Sequence, residues 1–261
     1  MREFKYPLDG TYMNVITFGS GAKHLAILSG VSLCGLEGKG PAVEPGYREF
    51  LDQYTVWLFD RKKVLPQGYT VAQLAEDVYR VLKAQGVEQA DLYGVSQGGM
   101  MAQELALAHP EFVGKMALAS TCSRLNEHSE KVVRRWLALA EAQDVRAMNH
   151  EFFTRVYTPG FLKQFEAVLP ALEAEGTPED CDRFAILMRS ILAFSTYDRL
   201  PQIKCPAIIL GAELDDVLTA AGSVEMADRL GCPCYIARGY GHAAYDEAPE
   251  YKEKLRAFLL S

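Results

Sequence analysis

The chain has 261 residues, 49% hydrophobic and 23% charged, which is the balance of a globular protein able to bury a sizeable core. Its formal net charge is −7, with acids and bases interspersed, so no basic face is offered to a phosphate backbone and nucleic acid is not an expected partner. Six scattered cysteines are too sparse for a disulfide scaffold, Met1 to Pro7 carries no apolar signal segment, and no stretch approaches the ~18 apolar residues of a membrane span, which predicts a cytoplasmic chain without a membrane partner.

Asn14 to Phe18 reads as a strand, Gly19-Ser20-Gly21 as a turn and His24 to Leu28 as a second, fully apolar strand. Ser32 to Tyr47 is rich in glycine and proline and shows neither period. It reads as a loop, and loops beyond about 12 residues in a compact domain are usually functional or mobile. Gly30 and Gly35 have the spacing of a phosphate loop, but Leu36-Glu37 stands where Lys-Ser/Thr must follow, so a nucleotide is not implied. Tyr54 to Phe59 is a continuous apolar strand, suited to a sheet covered on both faces. Thr70 with Gln73 forms a capping box for a helix that keeps its period through Leu82 and stops at Gly86.

Ala90 to Tyr93 then leads into Gly94-Val95-Ser96-Gln97-Gly98, followed by an alanine-rich helix that ends before Pro110. A serine between strand and helix, with glycine two before and two after, is the pattern of a nucleophile elbow. The turn strains the serine backbone, and side chains at the glycine positions would meet the adjoining strand and helix. The Gln97 backbone N–H is left free at the helix start to donate to an oxyanion.

Lys115 to Ala119 is another strand, and strands alternating with helices at this spacing mean a mostly parallel sheet flanked by helices. The rhythm breaks between 124 and 197, where only helical periods occur: Val132 to Met148, Glu151 to Tyr157, Phe161 to Glu175 and Asp180 to Phe194. An all-helical insertion at that point sits over the carboxyl ends of the strands, where ligands bind in open α/β folds. Its aromatic and long apolar residues offer Phe153, Tyr157, Phe184 and Met188 as pocket candidates, among others that pack. The sheet resumes at Pro206 to Leu210 and ends with Tyr235 to Ala237, and a terminal helix begins near Pro249. The organisation is a core of residues 1–123 and 198–261 interrupted by a helical cap, 124–197.

A serine hydroxyl becomes a nucleophile when a base takes its proton, and the base works best when a carboxylate fixes its tautomer. Ser96 follows one strand, Asp215 or Asp216 follows another, and His242 follows the last, in the order Ser, Asp, His. The other histidines, His24, His109, His128 and His150, lie in structural contexts and none has metal-ligand spacing; Cys232-Pro233-Cys234 lacks a second ligand pair.

These residues, with Asp60-Arg61 after its strand and the approach from Leu200 to Leu210, resemble the α/β-hydrolase fold superfamily, serine hydrolases with a helical cap. The resemblance spans most of residues 12 to 123 and 198 to 260. It implies that the catalytic acid is Asp215, the first aspartate of its turn, and that the second oxyanion donor is the Val31 backbone N–H after Ser29-Gly30. Ser29 stands where the family has histidine, and Lys62-Lys63-Val64-Leu65 lacks the family's usual glycines and serine. The expected activity is hydrolysis of a small to medium, mostly apolar ester or related acyl compound through Ser96, His242 and Asp215, without metal or organic cofactor. Acyl transfer or C–C bond hydrolysis would use the same groups, a non-catalytic binding or signalling protein would keep only the scaffold, and homo-oligomer formation stays open.

Overall fold

The computed structural model describes residues 1–261. The chain opens with a hairpin of β1 (Arg2–Leu8) and β2 (Thr11–Phe18), joined by Asp9 and Gly10, both at positive φ, as a two-residue hairpin turn requires. β1 was not expected from the sequence. It is a half-exposed edge strand in which Phe4 and Tyr6 alternate with charged residues, and an edge is where its Pro7 is tolerated.

After β3 (Lys23–Leu28), the stretch expected to be a loop is partly helical. A short helix, α1 (Gly40–Val43), continues into a 3-10 segment, Glu44–Phe50, with Pro41 and Pro45 starting each piece. Proline supplies a helical φ at a position that needs no N–H, so these turns form without any amphipathic period to announce them. β4 (Tyr54–Phe59) follows, then α2 (Val71–Ala84), β5 (Ala90–Val95), α3 (Gln97–Ala108) and β6 (Val113–Ala119). The Thr70–Gln73 capping box is present at the head of α2, with Thr70 Oγ1 accepting from the Gln73 N–H at 3.2 Å and Gln73 Oε1 accepting from the Thr70 N–H at 2.9 Å.

Five helices separate β6 from β7. α4 (Glu127–Glu141) is capped by Asn126 and α5 (Val145–Val156) by Asp144. The helix expected over 132–148 therefore breaks at Gln143, whose φ is 55°, and 151–157 is the second half of α5. The stretch 161–175 is not one helix: α6 (Pro159–Leu162), a 3-10 turn at Lys163–Phe165 and α7 (Leu169–Glu173) replace it, with Pro170 at the head of α7. α8 (Pro178–Leu192) is the long closing helix, with Thr177 and Asp180 in a second capping box. The chain enters and leaves this insertion side by side, since Arg124 and Ser195 form an antiparallel bridge and the Thr196 N–H donates to Ser123 O at 2.9 Å. β7 (Ala207–Ala212), α9 (Ala220–Leu230), β8 (Cys234–Ala237), α10 (Ala244–Glu247) and α11 (Pro249–Leu260) complete the chain.

The eight strands form one sheet in the order β1-β2-β4-β3-β5-β6-β7-β8, antiparallel at β1–β2 and β2–β4 and parallel from β4 onward. Both faces are covered, which is why the central strands are continuously apolar. Ala26, Leu28, Leu92 and Ile209 pack on the side of α2, α3 and α9, and Leu25, Ile27, Tyr93 and Leu210 on the side of α11. The strand order turns back at β3: the next strand, β4, lies on one side of it and β5 on the other. The loops after β3 and β5 therefore splay apart at their carboxyl ends and open a crevice there.

Candidate active site

Ser96 lies at that crevice, between β5 and α3, with φ 52° and ψ −120°. A non-glycine residue in such a region stores roughly 1–3 kcal/mol and persists only when its surroundings hold it there. The Ser96 N–H donates to Ala119 O at 2.9 Å, and Ser96 O accepts from the Gly99 N–H at 2.9 Å and from Thr121 Oγ1 at 2.7 Å. The flanking glycines are steric necessities. A Cβ on Gly98 would sit 1.8 Å from Leu28 O, and one on Gly94 would sit 2.6 Å from Gly98 O.

His242 and Asp215 come from the ends of β8 and β7. The imidazole is buried, and its Nδ1 lies 3.0 and 2.9 Å from the two carboxylate oxygens of Asp215. Asp215 Oδ1 also accepts from the backbone N–H groups of Val217, at 2.8 Å, and Leu218, at 3.0 Å. Burial pushes the Asp215 carboxyl up, but the opposing His242 charge and hydrogen bond, with the two amides, outweigh it and hold the group below its ordinary value. Asp216 turns the other way: its exposed carboxylate meets His128 Nε2 at 2.9 Å and the Arg155 guanidinium, on α4 and α5. With Nδ1 donating to Asp215, the imidazole keeps Nε2 as a proton acceptor. The Ser96 hydroxyl makes no hydrogen bond to another protein group, and neither does Nε2. A hydrogen bond between a serine hydroxyl and an imidazole, where a site uses one, commonly tightens only when a reactant is bound.

Two amides beside Ser96 and on the neighbouring loop lack acceptors of their own. The Gln97 N–H is the first of α3, beyond the reach of the helix's internal bonding, and the Val31 N–H has no backbone partner. The loop carrying Val31 approaches the serine closely, as a Cβ on Gly30 would lie 3.3 Å from Ser96 Cβ and 3.9 Å from Ser96 Oγ. A cavity of about 500 Å³ borders this loop and Val95, walled by Tyr47, Tyr93, Phe153 and Tyr157. Phe184 and Met188 do not border it. They are fully enclosed on α8, packed into the core with Leu187.

Beneath the loop lies a polar layer built on Arg61, which the sequence offered only as part of the family resemblance, with no buried role. Arg61, buried, donates from Nε (3.3 Å) and Nη2 (2.9 Å) to Gln97 Oε1, from Nη1 to Ser29 Oγ (3.2 Å) and from Nη2 to Ser29 O (2.7 Å). Gln97 Nε2 in turn donates to Ser190 Oγ on α8 at 3.1 Å. The signal in the sequence is the Asp60-Arg61 pair at the end of an apolar strand, where a charge needs buried partners. No group of three or more His, Cys, Asp or Glu side chains is placed to hold a metal ion, and no helix is long and apolar enough to cross a membrane.

Comparison with known proteins matches residues 49–201 to the family model for the alpha/beta hydrolase fold. Over 254 residues the chain is 28% identical to RutD of Caulobacter sp. (strain K31), named "Putative carbamate hydrolase RutD", covering 93% of this chain and 92% of the relative. It is 26% identical over 189 residues to 3-oxoadipate enol-lactonase 2 of Acinetobacter baylyi, covering 69% of each. Among solved structures, the enol-lactonase from Burkholderia xenovorans LB400 superposes with a TM-score of 0.85 at 20% identity, over 98% of this chain and 100% of that one.

Proposed function

Because this chain belongs to the alpha/beta hydrolase fold family and is a hydrolase, we propose that it cleaves small to medium esters or related acyl compounds through an acyl-enzyme on Ser96. His242 Nε2 takes the Ser96 hydroxyl proton as Oγ attacks the carbonyl carbon, and Asp215 holds the ring in the required tautomer and steadies its positive charge. The carbonyl oxygen becomes an oxyanion and accepts from the Val31 and Gln97 N–H groups, which cost no reorganisation at that moment because they have no other partners. As the tetrahedral centre collapses, the bond to the leaving group breaks and the imidazolium returns its proton to that group. Water, deprotonated by the same imidazole, then releases the acid and restores the hydroxyl.

The observation that carries this reading is the buried Asp215–His242 pair, anchored by two backbone amides at the same rim of the sheet as the strained Ser96. The relatives' names agree in reaction type, since a carbamate hydrolase and an enol-lactonase both cleave an acyl–heteroatom bond. The aromatic walls of the cavity favour an apolar acyl or alcohol portion, and the helices of 124–197 serve as its cap, contributing Phe153 and Tyr157.

The test is covalent labelling with a fluorophosphonate followed by peptide mass spectrometry. A single adduct on the peptide containing Ser96, absent in Ser96→Ala, is expected. Folded protein that stays unlabelled, or labels elsewhere, would refute the assignment.

A further inference from the structure

Arg183, on α8, is about nine-tenths buried and incompletely paired. Its Nη1 reaches only Asp60 Oδ1, at 3.5 Å, and its Nε has no hydrogen-bond partner. Asp60 already accepts from the backbone N–H groups of Arg61 (2.7 Å) and Leu36 (2.8 Å). The neighbouring Arg61 guanidinium is bonded only to neutral oxygens, those of Gln97 and Ser29. Two buried guanidiniums thus have one carboxylate at contact distance, Asp60, while Glu175 and Asp180 only share a cavity of about 300 Å³ with them, which leaves the cluster one counter-charge short at close range, where a buried charge needs a partner. The effect is legible on Arg61, which burial, reinforced by the charge of Arg183, lowers to about 10 against the pull of Asp60.

This charge lies against the oxyanion loop. A recess of about 10 Å³, bounded by the Ser29–Ser32 loop with Asp60, Arg61 and Arg183, shares that loop with the apolar cavity of about 500 Å³. Its size is that of a single water-sized group. One oxygen of a carboxylate fits it, whereas the three oxygens of a phosphoryl group do not.

Resting on the esterase reading above, we infer that the substrate carries a free carboxylate, which docks on Arg183 beside the Ser29–Ser32 loop while the acyl carbonyl occupies the oxyanion position. The guanidinium donates to the one oxygen that the recess admits, and the incoming anion supplies a counter-charge at close range.

The test compares three pairs of 4-nitrophenyl esters matched in chain length: the monoesters of succinate, glutarate and adipate against the butyrate, valerate and hexanoate. In at least one pair the carboxylate-bearing ester is expected to have the larger kcat/KM, and Arg183→Gln is expected to lower the charged-to-neutral ratio by about 10- to 100-fold, the loss typical of a hydrogen bond to a charged group. Arg183→Lys, which keeps the charge and loses the fork, is expected to retain part of the ratio, and it carries the test if the Gln variant does not fold. A wild-type preference for the neutral ester in every pair, or a ratio unchanged in the variants, overturns the inference and leaves water as the partner of Nε.

A second readout separates this idea from the esterase reading. Glutarate and adipate binding is measured by calorimetry on Ser96→Ala with and without Arg183→Gln. Binding at least about ten-fold weaker in the double variant supports the anion site even if no ester is turned over; equal binding overturns it.

Discussion

Gln97 Oε1 accepts two hydrogen bonds from the Arg61 guanidinium, so the residue whose amide opens α3 beside Ser96 is fixed in place by a cation from the end of a different strand. Replacing Gln97 with leucine removes that acceptor from a buried donor and empties the contact to Ser190. The expected loss is about 1–3 kcal/mol in urea unfolding, with the slope unchanged. Gln97→Glu keeps the acceptor but not the donation to Ser190 Oγ, and should recover part of the loss.

Ser96→Ala and His242→Ala are each expected to lower kcat by roughly three to six orders of magnitude while leaving the circular dichroism spectrum and melting temperature close to wild type. Because the three groups act as a unit, the double variant should be little worse than either single one. An additive loss in the double variant would mean that serine and imidazole work in separate steps.

The two adjacent aspartates should behave very differently. Asp215 holds His242 and is itself held by two amides, while Asp216 points outward to His128 and Arg155. Asp215→Asn is expected to cost about 10⁴ in kcat by favouring the wrong imidazole tautomer. Asp216→Asn should change it by less than about tenfold, since exposed ion pairs contribute at most about 1 kcal/mol. Steady-state kinetics on any turned-over ester separates the two outcomes, and the reverse ranking would move the acid to Asp216.

Stability should carry the same signature in acid. The Asp215 carboxyl sits below its ordinary value of 3.8 in the folded chain, so the unfolded chain binds its proton first. Its contribution is therefore complete above about pH 3.8 and lost as pH falls below that through the lower native value. Urea unfolding of wild type and Asp215→Asn from pH 7 to pH 2 should show a constant gap that narrows only in the acid range. A gap independent of pH would show that the charge of Asp215 is not what stabilises the fold there.

Gly98→Ala tests the elbow sterically. A methyl group there would lie 1.8 Å from a backbone oxygen of β3, which cannot retreat without shifting the strand. The variant should be insoluble or destabilised by more than about 3 kcal/mol, beyond the ordinary glycine-to-alanine effect, as judged by soluble yield and thermal melting. Gly46→Ala, with open space around its Cβ position, is the control.

What the sequence disclosed was what short-range sterics and strand alternation control. The glycines around Ser96 announce a turn because each is needed within a few residues of the nucleophile, and the apolar strands announce a sheet covered on both sides. The edge strand β1 escaped because half its side chains face water and its alternation is diluted by charge. The helical turns around Pro41 and Pro45 are too short to display a period. In the insertion, the spacing of Phe184 and Met188 is what a helix shows whether its face meets a cavity or a core. The choice depends on how α8 is rotated against α4 and the sheet, a long-range matter. The same holds for Arg61 and Arg183, more than a hundred positions apart and joined only through Asp60.

The paired stem at Arg124 and Ser195 has an evolutionary consequence. Since the intervening polypeptide departs and returns through two neighbouring points, its contour can lengthen, shorten or be exchanged wholesale without altering strand register below. A lineage with this layout can diversify what it recognises by renovating that stretch, provided the contacts it makes below, such as Ser190 to Gln97, are kept. A chimera that swaps residues 125–194 between two homologues would reproduce that history at the bench.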